Sequence, residues 1–137
     1  MKVGQFLQFC ALLLTATLAI AQSQIAGKWQ ATERRQPVVI LDVSESQGKL
    51  AGTAIFYLFN HDNNPPTVVS SVERQLVSPS LNGNVFSFQV KSLDASSGEM
   101  DSFKMRLTGK DEALLRRSAS ESEAEADIPE IRMIRQK

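Results

Sequence analysis

The sequence predicts an all-β protein folded as an antiparallel up-and-down barrel of eight strands, or nine. Three observations point there: apolar and polar residues alternate with period two in a series of short runs, turn-forming residues separate those runs, and no stretch of the mature chain carries a convincing long helical repeat. Closing such a sheet removes the exposed edges that an open one has to defend. A two-sheet sandwich is the competing arrangement.

Met1 to Ala21 has the three parts of a secretory leader: Lys2 near the amino terminus, an apolar run from Phe6 to Ile20, and Ala19-Ile20-Ala21 as a small-x-small cleavage site. The run is short for a membrane span and is interrupted by Gln8, Thr15 and Thr17, so the expectation is cleavage, with no span left afterwards. Residues 22–137 then form a single domain, secreted or periplasmic. The only cysteine, Cys10, leaves with the leader. That removes a disulfide framework, a thiolate metal site and a cysteine nucleophile in one step. The chain has 15 basic and 15 acidic residues, so loss of Lys2 leaves it near neutral, which gives no electrostatic reason to expect nucleic acid as a partner.

The first strand opens at Ile25-Ala26-Gly27-Lys28-Trp29, with Ile25, Gly27, Trp29 and Ala31 on one face and the only tryptophan among them. Glu33 to Pro37 reads as a turn, Val38 to Val43 as a β-branched strand, and Ser44 to Gly48 as the next turn. Leu50 to Phe59 is apolar on both faces: Leu50, Gly52, Ala54, Phe56 and Leu58 against Ala51, Thr53, Ile55, Tyr57 and Phe59. Asn60 to Pro66 is an unambiguous loop. Strands at Thr67 to Val72 and around Arg74 to Val77 follow, separated or bulged near Glu73. Asn82-Gly83 marks a tight hairpin, since Asn-Gly accepts the positive φ that a two-residue turn demands. Phe86, Phe88 and Val90 then alternate with Val85, Ser87, Gln89 and Lys91. After the Ser92–Glu99 loop, Asp101, Phe103, Met105 and Leu107 share a face. Short strands at Ala113 to Arg117 and Ile128 to Arg135 flank an acidic stretch, 118–127.

Gly27-Lys28-Trp29 resembles the Gly-x-Trp of the lipocalin and calycin group, in which the first strand closes one end of an eight-stranded barrel and a basic residue of the last strand lies over the indole. A closer resemblance is to small exported bacterial lipocalin-like proteins. It rests on four motifs in one order: Ile25-x-Gly27-x-Trp29, Gly48-Lys49-Leu50-Ala51-Gly52-Thr53, Val69-Ser70-Ser71-Val72, and Leu81-x-Gly83 leading to Phe86-x-Phe88. The chain lacks the Thr-Asp-Tyr motif and disulfide of typical lipocalins, and has Leu114-Leu115-Arg116-Arg117 where the closer set commonly carries a second Gly-Thr-Trp. The resemblance implies a barrel floor of Gly27 and Trp29 with Arg132 or Arg135 over the ring.

The inward positions mix small residues with large ones, which leaves room for a cavity. Its candidate lining is Ala54, Phe56, Tyr57, Leu58, Phe86, Phe88, Phe103 and Met105, and the expected partner is a small hydrophobic or amphipathic molecule. The alternative is a filled barrel that binds a protein through the Asn60–Pro66 and Ser92–Glu99 loops. No catalytic residue, metal or cofactor is assigned. His61 beside Asp62 lies in a solvated loop without further ligands, and Ser70-Ser71 serves as a nucleophile only within its reach. Glu121, Glu123, Glu125 and Asp127 project to one side if that stretch is extended, a weak calcium pattern with no turn-shaping glycine. Arg34-Arg35 and Arg116-Arg117 are basic pairs suited to ion pairing with it, the commoner outcome, or to gripping a ligand carboxylate.

Overall fold

The computed structural model describes residues 24–93, 98–119 and 122–137. The leader, the centre of the Ser92–Glu99 loop and Glu121 fall outside them. Nine strands follow in order: β1 Gly27–Glu33, β2 Gln36–Ser46, β3 Lys49–Asn60, β4 Thr67–Gln75, β5 Val77–Asn82, β6 Val85–Lys91, β7 Met100–Leu107, β8 Glu112–Arg117 and β9 Ile131–Arg135, with one 3₁₀ turn at Glu125–Asp127. All nine belong to a single antiparallel sheet of order β4-β3-β2-β1-β9-β8-β7-β6-β5, so the sandwich does not form.

The sheet curls into a nearly closed up-and-down barrel. Its two edge strands are consecutive in sequence and meet at Leu76, whose N–H donates to the Gly52 carbonyl of β3 at 2.9 Å. In effect β4 and β5 are one bent strand that leaves β3 and joins β6, which reconciles eight positions round the barrel with nine segments. Gly52 also meets β2 closely: a Cβ there would lie 2.1 Å from the Asp42 carbonyl oxygen, so only glycine lets β2 approach this near. β4 and β6 share no backbone ladder, and across that gap Arg74 Nε donates to the Lys91 carbonyl at 3.3 Å.

The turns sort by end. Gln47-Gly48, Gly83-Asn84 and the short β7–β8 connection lie at one end with the start of β1; the strand ends that flank the longer connections, those after β3, β6 and β8, lie at the other. Two turns differ from the sequence reading. The β5–β6 hairpin centres on Gly83-Asn84, not Asn82-Gly83, because Asn82 pairs with Val85 and Gly83 takes the positive φ of 64°. The β1–β2 turn is a tight pair, Arg34-Arg35, with φ of 51° and 65°, and Pro37 lies within β2 opposite Thr32 where the register shifts.

The core follows the alternation. Trp29 and Ala31 of β1, Val39, Leu41 and Val43 of β2, Phe86, Phe88 and Val90 of β6, and Met105, Ala113, Leu115 and Met133 are buried together. At the short-turn end Trp29 is fully buried, and its Nε1–H donates to the Ile25 carbonyl at 2.9 Å, which satisfies the one polar group the ring brings inside. Arg135 is the arginine over the indole, 4.3 Å from the ring centre, held there by Asp111 at 3.1 Å and by the carbonyls of Gln24 and Ala26. Arg132 does not share the floor. It is three residues away in a strand of period two, so it faces outward and pairs with Glu112.

Candidate functional site

From the floor, aromatic rings climb the barrel interior. Phe86 meets Phe88 at 5.4 Å between centroids, Phe88 stacks on Phe103 at 5.4 Å and 11°, and Phe103 meets Phe56 at 5.7 Å. The contacts follow from register: Phe86 stands opposite Met105, and Phe88 opposite Phe103, on the inward face of the β6–β7 ladder. Above Phe56 and Phe103 the packing stops.

There, at the end carrying the long connections, a cavity of about 520 Å³ opens to solvent. It lies within the range of small-ligand pockets, and its wall is mainly apolar, with few polar groups. Each side chain on it sits at or near a strand end. Val38 and Val39 come from β2, Val90 from β6, Leu115 from β8, and Ile128, Pro129 and Ile131 from the run into β9. Ile128 is buried although it belongs to no strand, so the end of the 118–130 connection packs against the barrel mouth.

The predicted lining divides into two groups. Phe56, Tyr57, Leu58 and Phe103 border the cavity, Tyr57 from the opposite face of β3 at the rim. Ala54, Phe86, Phe88 and Met105 lie in the sealed core below, each at most 3% exposed. Reading inward faces finds all but Tyr57, which stands out by its place beside the Asn60–Pro66 loop, but it does not find their height along the barrel. The signal for height is the distribution of loop lengths: the inward residues next to the longest connections, Val90, Asp101, Arg117 and Ile131, are those at the mouth.

Two charged groups border the cavity, Asp101 and Arg117. Arg117 makes a two-pronged pair with Glu123, Nη1 to Oε1 at 3.0 Å and Nη2 to Oε2 at 2.7 Å. That hydrogen bonding raises the guanidinium pKa above its ordinary value, partial burial opposes it, and the charges of Glu123 and Asp101 add to the rise. Arg116 donates to the Glu125 carbonyl, so adjacent arginines pin the acidic stretch to β8.

The remaining candidates lie elsewhere. His61 is exposed, its ring 6.4 Å from that of Phe59, beside a hollow of about 210 Å³ shared with Glu33 and Arg34 and separate from the cavity. Ser70 and Ser71 are exposed on β4. The acidic stretch is not extended: Glu123 is engaged by Arg117, Glu125 to Asp127 form the 3₁₀ turn, and among the described residues no three His, Cys, Asp or Glu converge as a metal site. No helix of the described residues is long and apolar enough to cross a membrane. Comparison of the chain with protein-family models, curated proteins and solved structures returns no match, so its own geometry carries the functional reading.

Proposed function

We propose that this protein is an exported, non-enzymatic, lipocalin-like barrel that binds a small apolar or amphipathic ligand at its open end. The observation that carries the reading is the cavity of about 520 Å³ above Phe56 and Phe103. An eight-position barrel is at the size where the interior either fills or holds one small ligand, and here the lower interior is filled while the upper part is not. The Gly-x-Trp floor with Arg135 over the indole is the arrangement expected from the lipocalin resemblance. The leader-like Met1 to Ala21 supports export.

Native mass spectrometry of protein purified from its source, together with uptake of a lipophilic fluorophore, tests this. A bound molecule or saturable fluorescence is expected. Ile131→Trp, which places an indole in the cavity from a half-buried position on the inward face of β9, should abolish uptake while leaving the unfolding midpoint little changed. Absence of both bound molecule and uptake in the unsubstituted protein would overturn the reading.

A second reading, recognition of a protein by the open-end loops, is favoured by one contact set. Gln36 donates to the Pro66 carbonyl at 2.8 Å and accepts from the Val68 N–H at 3.2 Å, so the Asn60–Pro66 loop is anchored to β2. A preorganised loop loses less conformational freedom on binding. Replacing it with a short glycine-containing turn should remove partner capture and spare fluorophore uptake.

A further inference from the structure

The charges at the mouth discriminate among amphipathic ligands. Arg117 is matched in place, since both its Nη groups are taken by the two oxygens of Glu123. Asp101 is not matched in that way. It lies on the inward face of β7, opposite Val90 and two residues before Phe103, and borders the cavity. Among the described residues its carboxylate takes part in no ion pair; it feels Arg117 only as a more distant charge. Of the two charged groups on the cavity lining, the Asp101 carboxylate is therefore the one not engaged in an ion pair.

A ligand with an anionic head would meet that charge, and to reach Arg117 it would have to displace Glu123 from a two-pronged pair. A protonated amine needs neither. It approaches Asp101 from the cavity side while Arg117 and Glu123 stay in place. We propose that the ligand is a hydrophobic amine, with its apolar body against Phe56, Phe103, Leu115 and Ile131 and its ammonium group on Asp101. This rests on the reading of the cavity as a ligand site.

The experiment compares three molecules with one tail and different heads. Decylamine, decanol and decanoate, each below its micelle concentration at neutral pH, compete with the neutral fluorophore N-phenyl-1-naphthylamine for the full protein. Decylamine should displace it at about tenfold lower concentration than decanoate, a factor in keeping with one partly screened charge pair, with decanol between them. Added salt should narrow the gap. Asp101→Asn should remove the preference for the amine and leave decanol unchanged, the latter showing that the cavity is intact. Equal displacement by all three, tighter binding of decanoate, or an amine preference that survives Asp101→Asn would each overturn the assignment while leaving the cavity reading standing. Failure of the fluorophore itself to bind would remove both.

Discussion

The guanidinium of Arg135 lies 4.3 Å from the centre of the Trp29 ring, and the two residues are also register partners across the β1–β9 ladder. One contact thus joins the first strand to the last and seals the barrel floor. Four further interactions fix the guanidinium: the Asp111 carboxylate and the carbonyls of Gln24, Ala26 and Lys110. A planar fork serves stacking and several acceptors together, which an ammonium does not. Arg135→Ala should therefore cost about 1 to 3 kcal/mol, and Arg135→Lys should recover less than half of that. Urea midpoints followed by fluorescence of the single tryptophan measure both directly.

Gly27 is a second test of the floor. Its φ is +133°, and a Cβ there would come within 2.9 Å of an Arg135 Nη, so the space left by the missing side chain is filled by the arginine and not by a neighbouring strand. Gly27→Leu should cost about 1 to 3 kcal/mol or more, whereas Lys28→Leu, on the exposed face, should cost under about 0.5 kcal/mol. Equal urea midpoints would show that this strand does not hold the barrel closed.

Gly52 tests the closure itself. Alanine there places its Cβ 2.1 Å from the carbonyl oxygen of Asp42, a backbone atom that has no rotamer to yield. Relief requires β2 and β3 to separate, which also disturbs the carbonyl that receives Leu76. A loss of about 3 kcal/mol is expected, together with faster amide exchange at Leu76 than at residues of the β6–β7 ladder.

The Arg34-Arg35 turn is strained. Left-handed backbone costs roughly 1 to 2 kcal/mol at a residue other than glycine, and both arginines adopt it. Arg34→Asn combined with Arg35→Gly supplies residues suited to such a turn and should raise stability by about 1 kcal/mol in thermal or urea unfolding.

The pair at the mouth should contribute little to stability. Arg117 and Glu123 are 38% and 37% exposed, so Glu123→Gln should cost under about 1 kcal/mol. Because the Arg117 pKa is raised on folding, its contribution is fully present below the unfolded value and is lost only as pH climbs through the folded one. The difference in unfolding free energy between the unsubstituted protein and Arg117→Gln should therefore show no step from Arg117 titration between about pH 6 and pH 10.

Alternation alone identifies the strand faces of this protein. Trp29, Phe86, Phe88, Phe103 and Met105 point inward because a strand has period two and a closed sheet has one interior. The all-β class, the absence of cysteine after residue 10 and most strand positions are likewise properties of the sequence. Long-range pairing decided what periodicity does not encode. It selected Arg135 over Arg132 for the indole, made β4 and β5 one bent strand at Leu76, and separated Phe56 and Phe103 at the cavity from Phe86 and Met105 beneath it. It also brought Asp101 and Arg117 to one mouth from different strands. Period two specifies which way a side chain points; its height along the barrel depends on the stagger between strands, which is set by turns, bulges and closure through Gly52.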